Sequence, residues 1–292
     1  MAATEDDGAW LIACISDTHG HHERLEAALA AAAELDGCTT VIHAGDAAVR
    51  GEWASEIKPF LGWLARLPFD DMIYVPGNHD LCMDAAAYEA NWESWVAEHE
   101  APEQVATDLV EVLAAADAAG AGLHVLVHGE QIEIAGGLTV AGLAAMPRQP
   151  KSRPQMAFGF PRGSPGLRHE LGRLEPGADV LVTHTPPHGV LDSSSYDPRT
   201  AGKPFGCADL AKRVRALKPR LHVFGHIHSG AGVAATRKRL SVNAASCTTK
   251  GSEVDQELNS VLVVAVPRDR RRVPRLAASI DEAGVVKRVA EE

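Results

Sequence analysis

The residues best suited to chemistry in this 292-residue chain are dispersed aspartates, asparagine and histidines: Asp17-x-His19, Asp46, Asn78-His79-Asp80, His184 and His226-x-His228. Residues two apart in extended backbone point their side chains the same way, so Asp17 and His19 can both reach one ion, and His226 and His228 have the same spacing. Mixed imidazole and carboxylate donors suit zinc, manganese or iron better than calcium, which prefers oxygen throughout. Taken singly, Asp17, Asp46 or Asn78 would serve as turn or helix-cap residues. Together, all at the ends of apolar runs, they point to metal binding.

The elements that would place them are short and apolar. Trp10–Ile15 ends at Ser16-Asp17-Thr18-His19-Gly20, Thr39–His43 at Ala44-Gly45-Asp46, and Met72–Val75 at Pro76-Gly77-Asn78-His79-Asp80. Such runs read as parallel strands buried on both faces. The stretches between them, Glu23–Leu35, Ser55–Leu67 and a region around Tyr88–Val96, have helical composition or spacing. Strand alternates with helix, which predicts an α/β chain whose sheet is largely parallel at its start. The carboxyl ends of such strands are where ligands bind.

Past Gly122 the runs Leu123–Val127, Gln131–Ile134 and Leu138–Val140 alternate with glycine-bearing turns, which suggests antiparallel pairing. Residues 147–166, rich in Pro, Gly and Arg, read as a long loop over a site. Strands return at Val180–Thr183, which leads into His184, at Leu221–Phe224, which leads into His226 and His228, and at Leu240–Val242 and Val261–Val266. A helix is expected near Ala208–Leu217. No repeat or linker divides residues 1–292, so one domain with its core at about 10–266 is expected.

Composition narrows the function. Side chains carry 39 acidic against 28 basic groups, a formal net charge of -11, which disfavours extended nucleic acid as a partner. Small anions remain compatible, because bound cations can reverse the potential inside one pocket. The basic run Arg268–Arg272 has a solvated face as its simplest reading. Five widely spaced cysteines without a Cys-x-x-Cys pair suggest buried thiols in a reducing compartment. With no long apolar stretch and an acidic start at Met1–Gly8, a cytoplasmic protein without a membrane partner is expected.

Asp17-x-His19, Gly45-Asp46, Gly77-Asn78-His79-Asp80, His184 and Gly225-His226-Ile227-His228 resemble the ordered motifs of the calcineurin-like metallophosphoesterases. The likeness covers about residues 10–266. His43-Ala44-Gly45-Asp46, Gly206-Cys207, Leu221–Gly225 and Val242-Asn243-Ala244 resemble its metallophosphoesterase-domain-containing, class III phosphodiesterase-like subgroup. The resemblance implies a four-layer α/β/β/α sandwich of two mixed sheets flanked by helices. It implies two divalent ions (Mn2+, Fe2+/Fe3+, Zn2+ or Mg2+): one on Asp17, His19, Asp46 and His228, the other on Asp46, Asn78, His184 and His226, with Asp46 bridging. An animal member of the subgroup lacks one of the paired histidines, whereas both His226 and His228 stand here. The chain departs at Ala47 and Ala48, where bulkier or hydroxyl residues are common, and at Arg148 and Met156, where the subgroup tends to have tryptophan.

The chemistry so implied is hydrolysis of a small phosphate ester, a diester before a monoester, by a hydroxide held between the ions. Two carboxylates against two dications leave the centre positive. No protein nucleophile is then required, and neither Gly-x-Ser-x-Gly nor a P-loop is present. His79, beside Asn78, is the candidate general acid, with Asp80 orienting its imidazole. His21, His22 and His188 lie near ligand positions as candidate phosphate or supporting contacts. A phosphomonoesterase on the same centre is the alternative, and a non-catalytic scaffold of the same fold a more distant one.

Overall fold

The computed structural model describes residues 8–95, 100–134, 136–148, 156–195, 201–248 and 257–289. In chain order the strands are β1 (Ala9–Ile15), β2 (Cys38–His43), β3 (Asp71–Tyr74), β4 (Gly122–Val125), β5 (His128–Ile134), β6 (Leu138–Leu143), β7 (Met146–Pro147), β8 (Gly159–Phe160), β9 (Val180–Thr183), β10 (Leu221–Phe224), β11 (Gly232–Ala235), β12 (Leu240–Asn243), β13 (Val261–Pro267), β14 (Arg275–Ile280) and β15 (Val286–Arg288). The helices are α1 (Glu26–Ala33), α2 (Lys58–Leu64), α3 (Ala85–Trp95), α4 (Pro102–Ala118), α5 (Pro165–Gly172) and α6 (Ala208–Leu217).

Two mixed sheets result, ordered β15-β14-β13-β1-β2-β3-β4 and β11-β12-β10-β9-β6-β5, with β7 and β8 as a small separate pair. Each large sheet has four parallel strands, β1 to β4 in one and β6, β9, β10 and β12 in the other. Antiparallel strands extend them. Alternation along the second sheet sorts its side chains: Val140, Val180, Val182, Val223 and Val242 join Ile12, Val41 and Ile73 of the first sheet in one core. Ala141, Leu143 and Leu181 face the other way, against Leu167 and Leu171 of α5 and Leu210 and Val214 of α6. On the first sheet α1 packs over β2, β13 and β14. The expected sandwich of two mixed sheets between helices is what the chain forms.

Three readings change. β4 does not pair with β5; it adds in parallel to β3, and the chain crosses to the second sheet only afterwards. Both runs are short and bounded by glycine, so their local pattern could not separate the two partners. Helix α4 occupies a stretch to which the sequence reading assigned no element, because only Val105 and Ala116 along it are buried and its apolar stripe is thin. Past residue 266, β14 and β15 extend the first sheet.

The segment expected as a loop lies partly outside the described residues, at 149–155. Its described part holds β7, β8 and the start of α5. All five cysteines are buried thiols. The arginine-rich turn is more than a solvated face: Arg268 lies 4.5 Å over the Trp10 ring, and Arg270 pairs with buried Asp179 at 2.8 Å. Among the described residues no helix is long and apolar enough to cross a membrane.

Candidate metal centre

Asp17 follows β1, Asp46 follows β2, Asn78 follows β3, His184 follows β9, and His226 and His228 follow β10. A parallel bridge between Ser16 and Ala245 joins the ends of the two sheets, so all these residues open onto one place. Sharp backbone turns present them. Asp17, His19, Asp46 and His226 have φ of 50°, 42°, 54° and 68°. A non-glycine residue held in the left-handed region costs about 1–3 kcal/mol, and such strain gathers at functional sites. Gly45 has a φ of 99°, and a Cβ there would come 2.6 Å from His184 Nδ1. Gly225 similarly leaves room for the Asp17 carboxylate, whose two oxygens accept the His226 N–H at 3.0 and 2.8 Å.

Two triplets emerge, Asp17 with His19 and His228, and Asp46 with His184 and His226, each with ligand atoms within 4.8 Å of one another. His228 Nε2 lies 3.2 Å from Asp17 Oδ1, and His184 Nε2 lies 3.2 Å from Asp46 Oδ2. Asp46 Oδ2 is also 3.9 Å from His19 Nε2, which sets this oxygen between the triplets. Asn78 Oδ1 lies 3.2 Å from His184 Nε2. Its Nδ2 donates to Met156 Sδ at 3.1 Å, which turns the amide oxygen toward the cluster.

The imidazoles are prepared for ions. His19 Nδ1 donates to the Ala48 carbonyl (3.0 Å) and His184 Nδ1 to the Ala44 carbonyl (2.8 Å), so each leaves Nε2 for a ligand. Burial pushes His226 down to about 3 and lowers His19 as well, which favours neutral rings with available lone pairs. Burial also acts downward on His184, but the Asp46 carboxylate beside it prevails and raises it to about 9. Asp17 and Asp46 stay ionised: burial opposes their charge, yet His228 and His184 hold Asp17 below the usual carboxylate range, and His184 and His79 do the same for Asp46. One carboxylate and two imidazoles per triplet form a donor set that fits zinc, manganese or iron.

Asp80 and His79 meet other partners than the sequence suggests. Asp80 does not orient His79. Its carboxylate accepts the backbone N–H groups of Gly77 (2.7 Å), Asp46 (2.9 Å) and Ala48 (2.9 Å), because the turn folds it back beneath the two loops. The Val49 carbonyl orients His79 instead, accepting from Nδ1 at 2.7 Å. The His79 ring lies 4.9 Å from that of His19, edge to face. His22, half-buried, packs against Phe60 and Trp63 at 5.3 and 4.7 Å. His188 is exposed, and His21 belongs to neither triplet.

His43, which the sequence reading left without a role, is wholly buried; its Nδ1 accepts the Gly45 N–H at 3.3 Å and its Nε2 meets Thr18 Oγ1 at 3.0 Å. It thereby ties the Asp17 loop to the Asp46 loop. A histidine closing the buried strand after Val41 and Ile42, two positions before Gly45, was the available signal.

The sequence model of the calcineurin-like phosphoesterase family matches residues 11–230, most of the chain and every residue of both triplets. The chain belongs to that family. The calcineurin-like chain is 31% identical over 277 residues to metallophosphoesterase domain-containing protein 1 of Homo sapiens, covering 92% of this chain and 74% of that protein. It is 30% identical over 244 residues to UPF0046 protein K07C11.7 of Caenorhabditis elegans, covering 83% of this chain and 71% of that one. TT1561 of Thermus thermophilus shares the fold, with a TM-score of 0.57 at 14% identity, over 92% of this chain and 98% of its own.

Proposed function

We propose that this protein is a metal-dependent hydrolase of small phosphate esters, with phosphodiesters its preferred class. The placement of Asp46 Oδ2, 3.2 Å from His184 Nε2 and 3.9 Å from His19 Nε2, carries the reading, because one carboxylate would then be within reach of both donor sets. Asp17, His19, Asp46 and His228 would hold one divalent cation, and Asp46, Asn78, His184 and His226 the other. Divalent ions so held act as Lewis acids on phosphoryl oxygens and lower the pKa of water.

The chain's own groups supply the remainder. Asp17 and Asp46 contribute two negative charges and Asn78 none, so the loaded centre stays attractive to an anion despite the acidic surface. Among the described residues, the groups that meet these carboxylates are imidazoles, backbone N–H groups and the Ser16 hydroxyl, with no lysine or arginine, which suits the single charge of a diester over the second charge of a monoester. His79, with Nδ1 held by the Val49 carbonyl, leaves Nε2 as the nitrogen that would protonate the leaving alkoxide. Asp80 holds the Asp46 and Asn78 loops in register from below.

The test is a panel of linear and cyclic phosphodiesters and phosphomonoesters, assayed with Mn2+, Fe2+, Zn2+ and Mg2+. Metal-dependent turnover with a higher kcat/KM on diesters supports the proposal. Higher kcat/KM on monoesters would reassign the protein as a phosphatase, and no turnover by metal-loaded protein would refute hydrolysis.

A further inference from the structure

Asn243, the last residue of β12, is wholly buried beside the centre and belongs to neither triplet. Its Nδ2 donates to the Ile227 carbonyl at 2.9 Å and to the Leu191 carbonyl at 3.1 Å, and its Oδ1 accepts the Ala245 N–H at 3.2 Å. An amide offers two N–H donors and one carbonyl oxygen, and all are engaged here.

Each contact leads to the centre or its rim. Ile227 is the residue between His226 and His228, in a turn opened by His226 at a φ of 68°. Ala245 begins a stretch in which the Ser246 N–H donates to the Ser16 carbonyl (2.7 Å) and the Cys247 N–H to the Asp17 carbonyl (3.2 Å). Leu191 has a φ of 51°, and the segment after it is clipped to the same turn: Ser229 Oγ donates to the Ser193 carbonyl at 3.2 Å and accepts the Ser195 N–H at 3.1 Å. One side chain thus joins the backbone presenting Asp17, the backbone presenting His226 and His228, and the adjoining loop.

We propose that Asn243 is a positioning residue for the metal centre: its amide fixes the Ile227 turn against the Asp17 loop and so sets how tightly His226 and His228 grip cations. This rests on the reading of those histidines as ligands. Groups that orient ligands without touching the ion typically govern affinity by about 10–100-fold.

The test uses Asn243→Asp, nearly the same shape but with the donor replaced by an oxygen facing two carbonyls, beside Val242→Ala, a core truncation one residue away. Metal-free forms are titrated with Mn2+ by calorimetry and melted without metal. Both variants are expected to melt earlier than wild type, but only Asn243→Asp should bind Mn2+ more weakly, by about 10–100-fold. In a His228→Ala background, Asn243→Asp should add much less, because it acts through that turn. Wild-type affinity in Asn243→Asp, or an equal loss in Val242→Ala, overturns the proposal while leaving the ligand reading intact. Failure of wild type to take up Mn2+ overturns both.

Discussion

The Nε2 atoms of His19 and His228, from residues 209 apart in the chain, lie 3.3 Å from each other. His19 has its other nitrogen engaged by the Ala48 carbonyl. Two ring nitrogens aimed at one point, with Asp17 Oδ1 3.2 Å from His228 Nε2, form a convergent donor set that a cation fits. His228→Ala removes one donor and should weaken binding of one ion by more than the about 10–100-fold that loss of an orienting partner costs. Mn2+ titration of the metal-free protein checks this, and unchanged affinity would count against the triplet.

Asp46→Asn should act on both ions. The carboxylate oxygen between the triplets becomes half of a neutral amide, so metal content and turnover should fall together. Elemental analysis beside a phosphodiesterase assay reads both, and normal turnover with two ions bound would remove the bridging role.

His79 touches the cluster only at its edge, so His79→Ala should retain the ions. Loss of a general acid costs about 10²–10⁴ in rate, most for poor leaving groups. Comparing nitrophenyl with alkyl esters separates this from a packing defect, which would slow every substrate alike.

Asp80→Asn leaves three backbone N–H groups sharing one amide oxygen. Stability should fall by about 1–3 kcal/mol, with the His79 leaving-group dependence preserved. Thermal and denaturant unfolding measure the loss, and a selective effect on poor leaving groups would restore Asp80 as the partner of His79.

Proton linkage gives a further expectation. In the metal-free protein His184 is raised to about 9 by Asp46, from an ordinary 6.5. The folded state therefore holds a proton that the unfolded chain has released between these values. That stabilisation is complete below about 6.5 and is lost as pH rises through about 9. A cation must displace the same proton, so metal affinity should rise across the window. Melting curves and Mn2+ titrations from pH 6 to pH 10 test both trends, and both should flatten in His184→Gln.

Much of this centre was legible in the sequence because a strand buried on both faces is uniformly apolar and ends where polar ligands begin. Ile15 before Ser16-Asp17 and Val75 before Pro76-Gly77-Asn78 show that boundary plainly. Pairing partners were less visible: Leu123–Val125 reads alike whether its neighbour is β3 or β5. Adjacency also misleads in tight turns. Asp80 follows His79 in sequence, yet its carboxylate reaches backward to three N–H groups while Val49, thirty residues earlier, supplies the oxygen that His79 meets. The grip of Met156 on Asn78 likewise depends on a contact 78 residues long in sequence, which no local pattern encodes.

The central claim is that dispersed side chains from both sheets hold two cations around Asp46. Metal-edge anomalous diffraction from crystals loaded with Mn2+ tests it most directly. The account predicts two peaks about 3.5 to 4 Å apart with Asp46 Oδ2 between them. A single peak, or peaks away from Asp17, Asp46, His184 and His228, would contradict it.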